Sequence, residues 1–247
     1  MRHSLKKYVL TGFLLVILVF GLDAQIIVLQ YRSVPQENVA EFMFRESTYW
    51  AELARKNVRD GKMLKWELWQ RIGGYELDAD AHNFVFVNVY EDKYDLDANI
   101  WDIQSIFPNR RLQDMATTGL GRTIHQLVLE QQTSAGIGVG TYAKINYAKV
   151  SDMDAFLEFE SNVWQPFIDK AIIDGNTSFV SWNLSTVVTP TGSNIPFDAV
   201  TIDHFDKYSE AVIPRWSEDL EMPDVAPSLP TRDRILAQIY GLVVSVE

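Results

Sequence analysis

Two stretches of this chain decide its architecture: VAEFMFRESTYWAELARKNVRDGKMLKWEL, from Val39 to Leu68, and MDAFLEFESNVWQPFIDKAIIDGNTSFVSWNL, from Met153 to Leu184. A constant offset of 114 pairs Phe42 with Phe156, Glu46 with Glu160, Trp50 with Trp164 and Gly61 with Gly175. Two extra residues then move Trp66 onto Trp182 and Leu68 onto Leu184. The 114 offset returns where Asp92-Lys93-Tyr94 meets Asp206-Lys207-Tyr208, and Arg122 and Gln126 match Arg234 and Gln238 at 112. Chance rarely keeps two tryptophans, a glycine and a DKY triplet in one order, so the chain reads as a tandem duplication.

Working outward, each copy shows the same order of local signals. An apolar strand opens it, at Ile26–Ser33 and Tyr142–Val150. A helix follows, its stripe set by Val39, Phe42, Glu46, Tyr49, Trp50 and Leu53 in one copy. Met153, Phe156, Glu160, Val163, Trp164 and Phe167 set it in the other. Asp152 is placed to cap the second helix. Gly61 and Gly175 are placed to stop both, since glycine adopts the left-handed conformation cheaply. Two strands come next, Met63–Ile72 with Asn83–Tyr90 and Ser178–Val188 with Phe197–Phe205, joined by the turn-rich GGYELDADAH and TPTGSNIP. Helical segments are expected at Leu96–Met115 and Tyr208–Leu220, and closing strands at Thr123–Gln131 and Ile235–Val246. The order is βαββαβ twice: an α+β fold of two ferredoxin-like units, residues 25–135 and 136–247, each burying the bare face of the other's sheet. One chain thus makes a pseudo-dimeric barrel, and a monomer is expected.

Residues 1–24 read as an export signal. Arg2, Lys6 and Lys7 precede an apolar run from Tyr8 to Leu22, and Ala24 offers a cut before Gln25. That run is short for a bilayer span, which needs about 20 residues. An exported protein, periplasmic or secreted and free of the membrane after cleavage, is the expectation. The absence of cysteine excludes disulfides, thiolate metal sites and a bacterial lipoprotein anchor. Hydrophobic residues at 47% argue for a packed core. Cleavage would remove three cations and Asp23, taking the net charge from −11 to −13 and disfavouring nucleic acid and anionic membranes.

The chain resembles the dimeric α+β barrel superfamily, which includes the antibiotic-biosynthesis-monooxygenase-like proteins. The carrying features are the helix with W-x10-G (Trp50 to Gly61; Trp164 to Gly175), the tryptophan in the second strand, and the third strand running into YEDKYDLD or HFDKYSEA. The resemblance implies the barrel fold and spans nearly the whole chain after residue 24. It leaves function open, because such proteins include cofactor-free oxygenases, haem enzymes, lyases and proteins without assigned activity.

Candidate residues follow from burial and from the repeat. Glu46 and Glu160 interrupt an apolar stripe, where a bare carboxylate would cost several kcal/mol. Each needs a partner, for which Arg122 and Arg234 are the matched cations, or serves as a base of raised pKa. The matched Trp50, Trp66, Trp164 and Trp182 read as core. Unmatched polar residues on strands are the better site candidates. His125, His204 and Glu67 are the acid–base candidates, and Lys144, Asn146, Asn88 and Asp203 join Glu46 and Glu160 as ligand-binding candidates. Some of these strand residues are expected to face a cavity between the two sheets. No metal-binding spacing occurs, and after residue 24 the only histidines are His82, His125 and His204. The expected helical segments hold no histidine to ligate haem, so no cofactor is expected. Three functions remain: a binder of a small apolar or aromatic molecule between the sheets, a cofactor-free oxygenase or lyase, or a filled barrel acting through its surface.

Overall fold

A computed structural model describes residues 25–73, 81–192, 195–226 and 231–247. Residues 1–24, read from the sequence as an export signal, most of the GGYELDADAH connection and part of TPTGSNIP lie outside the described residues. The strands are β1 (Ile26–Ser33), β2 (Lys65–Gly73), β3 (Phe84–Tyr90), β4 (Arg122–Gly136), β5 (Tyr142–Val150), β6 (Phe179–Thr189), β7 (Ala199–Phe205) and β8 (Arg232–Val246). All pairings are antiparallel, and they close into one eight-stranded barrel ordered β1-β3-β2-β8-β5-β7-β6-β4. β4 and β8 run past their expected lengths because each bridges two neighbours. β4 pairs first with β1 and then continues along β6, and β8 lies between β2 and β5.

Alternation along the strands separates two layers. Ile27, Leu29 and Tyr31 of β1 point into the barrel with Val85, Val87, Ile145, Tyr147 and Ile202, forming one core. Their neighbours Ile26, Val28, Trp66, Phe84 and Phe86 point outward beneath the first helix and pack on Phe42, Ala51 and Ala54. Phe156, Ile168 and Ala171 cover Trp182, Leu184 and Phe205 in the second half. Burying each large apolar side chain stabilises by about 1.5–3 kcal/mol. The four matched tryptophans all sit in or against these outer layers.

Each helix is interrupted at its matched glutamate. α1 (Val39–Arg45) leads into a π turn at Glu46–Trp50 and then α2 (Ala51–Arg59). α3 (Met153–Phe159), a π turn at Glu160–Trp164 and α4 (Gln165–Ile173) repeat the arrangement. Asp152 caps α3 through Ala155 N–H at 3.1 Å. Gly61 and Gly175 follow the helices at φ of +68° and +70°, where a Cβ would be strained.

The expected second helices are largely absent. Leu96–Met115 holds only short 3₁₀ turns such as Ile103–Ser105 and Leu112–Asp114, and Pro108 in its middle cannot donate a helical hydrogen bond. The other shrinks to α5 (Tyr208–Val212), because Ile213 precedes Pro214 and takes an extended conformation. Among the described residues no helix is long and apolar enough to cross a membrane.

Candidate functional site

The outward face of β1 and β3, the first π turn and the irregular segment before β4 enclose a cavity of about 390 Å³. Trp50, Trp66, Phe86, Tyr90 and Trp101 wall it, and Arg32, Glu46, Asn88, Thr117 and Gln126 supply its polar groups. Glu46 reaches it from the π turn and is 3% exposed. Its Oε1 accepts a 2.6 Å hydrogen bond from the Thr117 hydroxyl. Among the described residues Oε2 has no hydrogen-bond partner. Burial raises the carboxyl pKa to about 7, opposed by the Thr117 hydrogen bond and by Arg32. Arg32 is itself held by the carbonyls of Thr117 and Gly121 at 3.5 and 3.4 Å. Asn88 donates to the Val28 carbonyl at 3.2 Å.

The same face of the second half gathers Glu160, Asp203, Asn146 and Lys144. Glu160 pairs with Arg232, and burial raises its pKa to about 7. Asn146 donates to Asp203 at 2.9 Å and to Thr201 at 3.1 Å. Burial raises Asp203 to about 6. Lys144 reaches the Val212 carbonyl at 3.5 Å.

Inside the barrel the waist is closed by Leu29, Tyr31, Tyr147 and Tyr240, with the Tyr31 and Tyr147 hydroxyls 2.6 Å apart. Beyond it, at the end where β1 and β2 begin, a second cavity of about 360 Å³ holds Lys65, Glu67, Trp69, Asn183 and His204. Glu67 accepts from the Trp69 indole at 2.7 Å and pairs with Lys65 at 3.1 Å. Burial raises the pKa of Glu67, opposed mainly by Lys65. His204 Nδ1 lies 2.9 Å from Ser181 Oγ. Burial, reinforced by Lys65, lowers its pKa to about 3 and keeps the ring neutral. His125 lies at the opposite end, stacked on Tyr31 with ring centroids 4.3 Å apart.

These positions correct three expectations. Asn88, Lys144, Asn146 and Asp203 face the helix side, not the space between the sheets, because each is offset by one from inward neighbours such as Val87, Ile145 and Ile202. His125 is parted from His204 and Glu67 by the filled waist, so the three acid–base candidates do not form one site. The glutamate partners are Thr117 and Arg32 for Glu46 and Arg232 for Glu160, not Arg122 and Arg234; Arg234 adds only a weaker attraction at Glu160. Sequence reasoning missed Arg32, Lys65, Thr117, Ser181, Asn183 and Arg232. Arg32 and Lys65 were visible as cations in apolar strands, but Thr117 lies in a segment without periodicity.

No family model matches the sequence, and no curated protein matches it. Solved structures do resemble the fold, and the neighbours are dimeric α+β barrel proteins. A protein of Lactobacillus acidophilus provisionally assigned as a monooxygenase aligns over 91% of this chain and 96% of its own, with TM-score 0.57 and 11% identity. A similarly assigned protein of Fusobacterium nucleatum covers 91% and 95%, with TM-score 0.53 and 9% identity. A haem-binding protein of Thermus thermophilus covers 90% and 92%, with TM-score 0.51 and 6% identity. At these identities the likeness establishes the fold alone.

The first cavity does not suit haem. Haem iron is held by His, Cys, Met or Tyr, and only Tyr90 among the residues bordering that cavity offers such a donor. Burial raises the Tyr90 pKa, which keeps the phenol protonated and a poor ligand. Among the described residues no group of three or more His, Cys, Asp or Glu converges to hold a metal.

Proposed function

We propose that this protein binds a small planar aromatic molecule, and that the cavity between the first sheet and its helix is the principal site. One observation carries the reading: five aromatic side chains surround a buried carboxyl with a pKa near 7 and a free oxygen. Such a wall stacks on a ring system, and such a carboxyl exchanges a proton near neutrality. The oxygenase alternative follows from the same group, with the two provisionally assigned monooxygenases as fold-level support. Glu46 would take a proton from an acidic methylene beside an aromatic ketone. Dioxygen would oxidise the resulting carbanion, one oxygen atom becoming a carbonyl and the other leaving as water with the two hydrogens. No cofactor enters that balance.

The mouth of the barrel is a second binding region in this proposal. Among the described residues, it is the part of the space between the sheets where an apolar ligand meets His204 and Glu67. The rest of the proposal concerns origin and place. The barrel orders β4-β1-β3-β2 and β8-β5-β7-β6 correspond strand for strand, which supports two ferredoxin-like units at 25–135 and 136–247. A barrel closed by one chain supports a monomer, and the charge pattern of residues 1–24 supports export. Aminoterminal sequencing of the protein from its host should begin at Gln25.

The functional experiment is oxygen uptake with enolisable polycyclic ketones, alongside fluorescence titration. Uptake of one dioxygen per substrate, lost in Glu46→Gln while binding persists, supports the oxygenase. Binding without uptake leaves the binder and removes the oxygenase. Failure of all planar aromatics to bind removes both.

A further inference from the structure

The barrel mouth carries a proton arrangement that its role as a binding region does not require. Ser181 Oγ donates to the Gly138 carbonyl at 2.9 Å, which commits the one hydroxyl proton. The 2.9 Å contact from Ser181 Oγ to His204 Nδ1 must therefore be donated by the ring. That places the proton of neutral His204 on Nδ1 and leaves Nε2 as a lone-pair acceptor. Among the described residues nothing hydrogen-bonds Nε2. On the adjacent strand Asn183 also borders the cavity, and its Oδ1 is buried without a partner. An unpaired buried acceptor costs about 1–3 kcal/mol. Here one such buried acceptor, Asn183 Oδ1, and the accessible Nε2 of His204 on the neighbouring strand are left without a hydrogen bond beside an apolar wall of Ala143, Ile145 and Ile202.

We infer that the barrel mouth selects a small, largely apolar, neutral ligand that carries an N–H or O–H donor, received by His204 Nε2 or Asn183 Oδ1. This rests on the reading of the mouth as a binding region and specifies its ligand class. A cavity of about 150 Å³ is enough for benzene in other proteins, so about 360 Å³ accommodates a two-ring molecule. A ligand without a donor would leave both acceptors bare, and discrimination of about tenfold or more follows from that cost. An anionic ligand is disfavoured by Glu67, buried beside the cavity, and by Glu247 at the rim, although both are partly offset by Lys65.

The test compares indole with indene, an isostere in which a carbon replaces the N–H. Calorimetric or NMR titration of the full protein should show indole bound at least about tenfold tighter. Nuclear Overhauser contacts should run from indole to the methyls of Ala143 and Ile202. Nitrogen-15 spectra of His204 should show Nδ1 protonated before any ligand is added. At least one of His204→Phe and Asn183→Leu should shrink the indole preference and so name the acceptor, and the wild-type comparison stands even if a variant fails to fold. Equal affinities, or a ring protonated at Nε2, overturn the donor selectivity while leaving a binding mouth. No binding of either probe, or contacts only to Val28 and Val128 of the other cavity, overturns the binding mouth itself.

Discussion

Glu46 shows how a single side chain can tie stability to chemistry. Its pKa rises from 4.5 to about 7 on burial. Between those values the folded state holds a proton that the unfolded state has released, so stability falls as pH rises. The contribution is fully present below pH 4.5 and lost above pH 7. A shift of that size corresponds to at most about 3 kcal/mol. Glu46→Gln cannot ionise, so its denaturant midpoint should lose less between pH 5 and 8 than the wild type does. A wild-type slope unchanged by the substitution would show that Glu46 titrates normally. Glu160 and Asp203 add slopes of the same sign, which the variant keeps. Any proton abstraction by Glu46 should rise with pH through about 7, opposite to the stability trend.

At the scale of the element, the π turns explain how a carboxylate comes to lie in an aromatic layer. One extra residue per turn widens the helix locally and re-aims the side chains around it, and such bulges often mark functional positions. In the first helix the bulge begins at Glu46 and ends at Trp50, both of which border the cavity. Deleting Thr48 should restore regular α-helix and turn α1 against α2 by about 100°. We expect helical circular dichroism to persist while aromatic ligands lose at least about tenfold in affinity and Tm falls. Unchanged affinity would show that the bulge does not position Glu46. The second π turn begins at Glu160, whose Oε1 is paired with Arg232, where Glu46 Oε1 has the Thr117 hydroxyl. The same local shape therefore holds a carboxyl in an ion pair in one half and beside an aromatic-walled cavity in the other.

For the whole molecule, closure is the dominant fact. The seams β2·β8 and β4·β6 join the two halves by long hydrogen-bond ladders, each interrupted by bulges, and the inner core takes Tyr31 and Leu29 from one half and Tyr147 and Ile202 from the other. Neither half keeps its inner face covered alone. Unfolding should therefore be a single transition, with calorimetric and van't Hoff enthalpies equal. Single-tryptophan variants retaining Trp66 or Trp182 should report the same midpoint. Two separated midpoints would show that each half is stable by itself. Leu29→Ala, at the shared waist, should cost about 2–5 kcal/mol and lower both reporters together.

The sequence by itself determined the order of the strands and of the first helix in each half, the first strand of each half to the residue, the helix stops at Gly61 and Gly175, and the burial of Trp66 and Trp182. These follow from local rules: periodicity, capping, glycine conformation and apolar content. It also marked Glu46, Glu160, Glu67 and His204 as polar residues in apolar surroundings. Only the tertiary structure decided which layer each strand residue faces, because a one-residue difference in register exchanges the two sides of a sheet. That is why Asn88, Lys144, Asn146 and Asp203 lie under helices, whereas His125 faces inward as His204 does and is parted from it by the filled waist. The partners of the glutamates were equally out of reach, since Thr117 and Arg232 lie 71 and 72 residues away along the chain. The open cavities depend on how completely side chains fill the space between layers, a property of packing that no local pattern records.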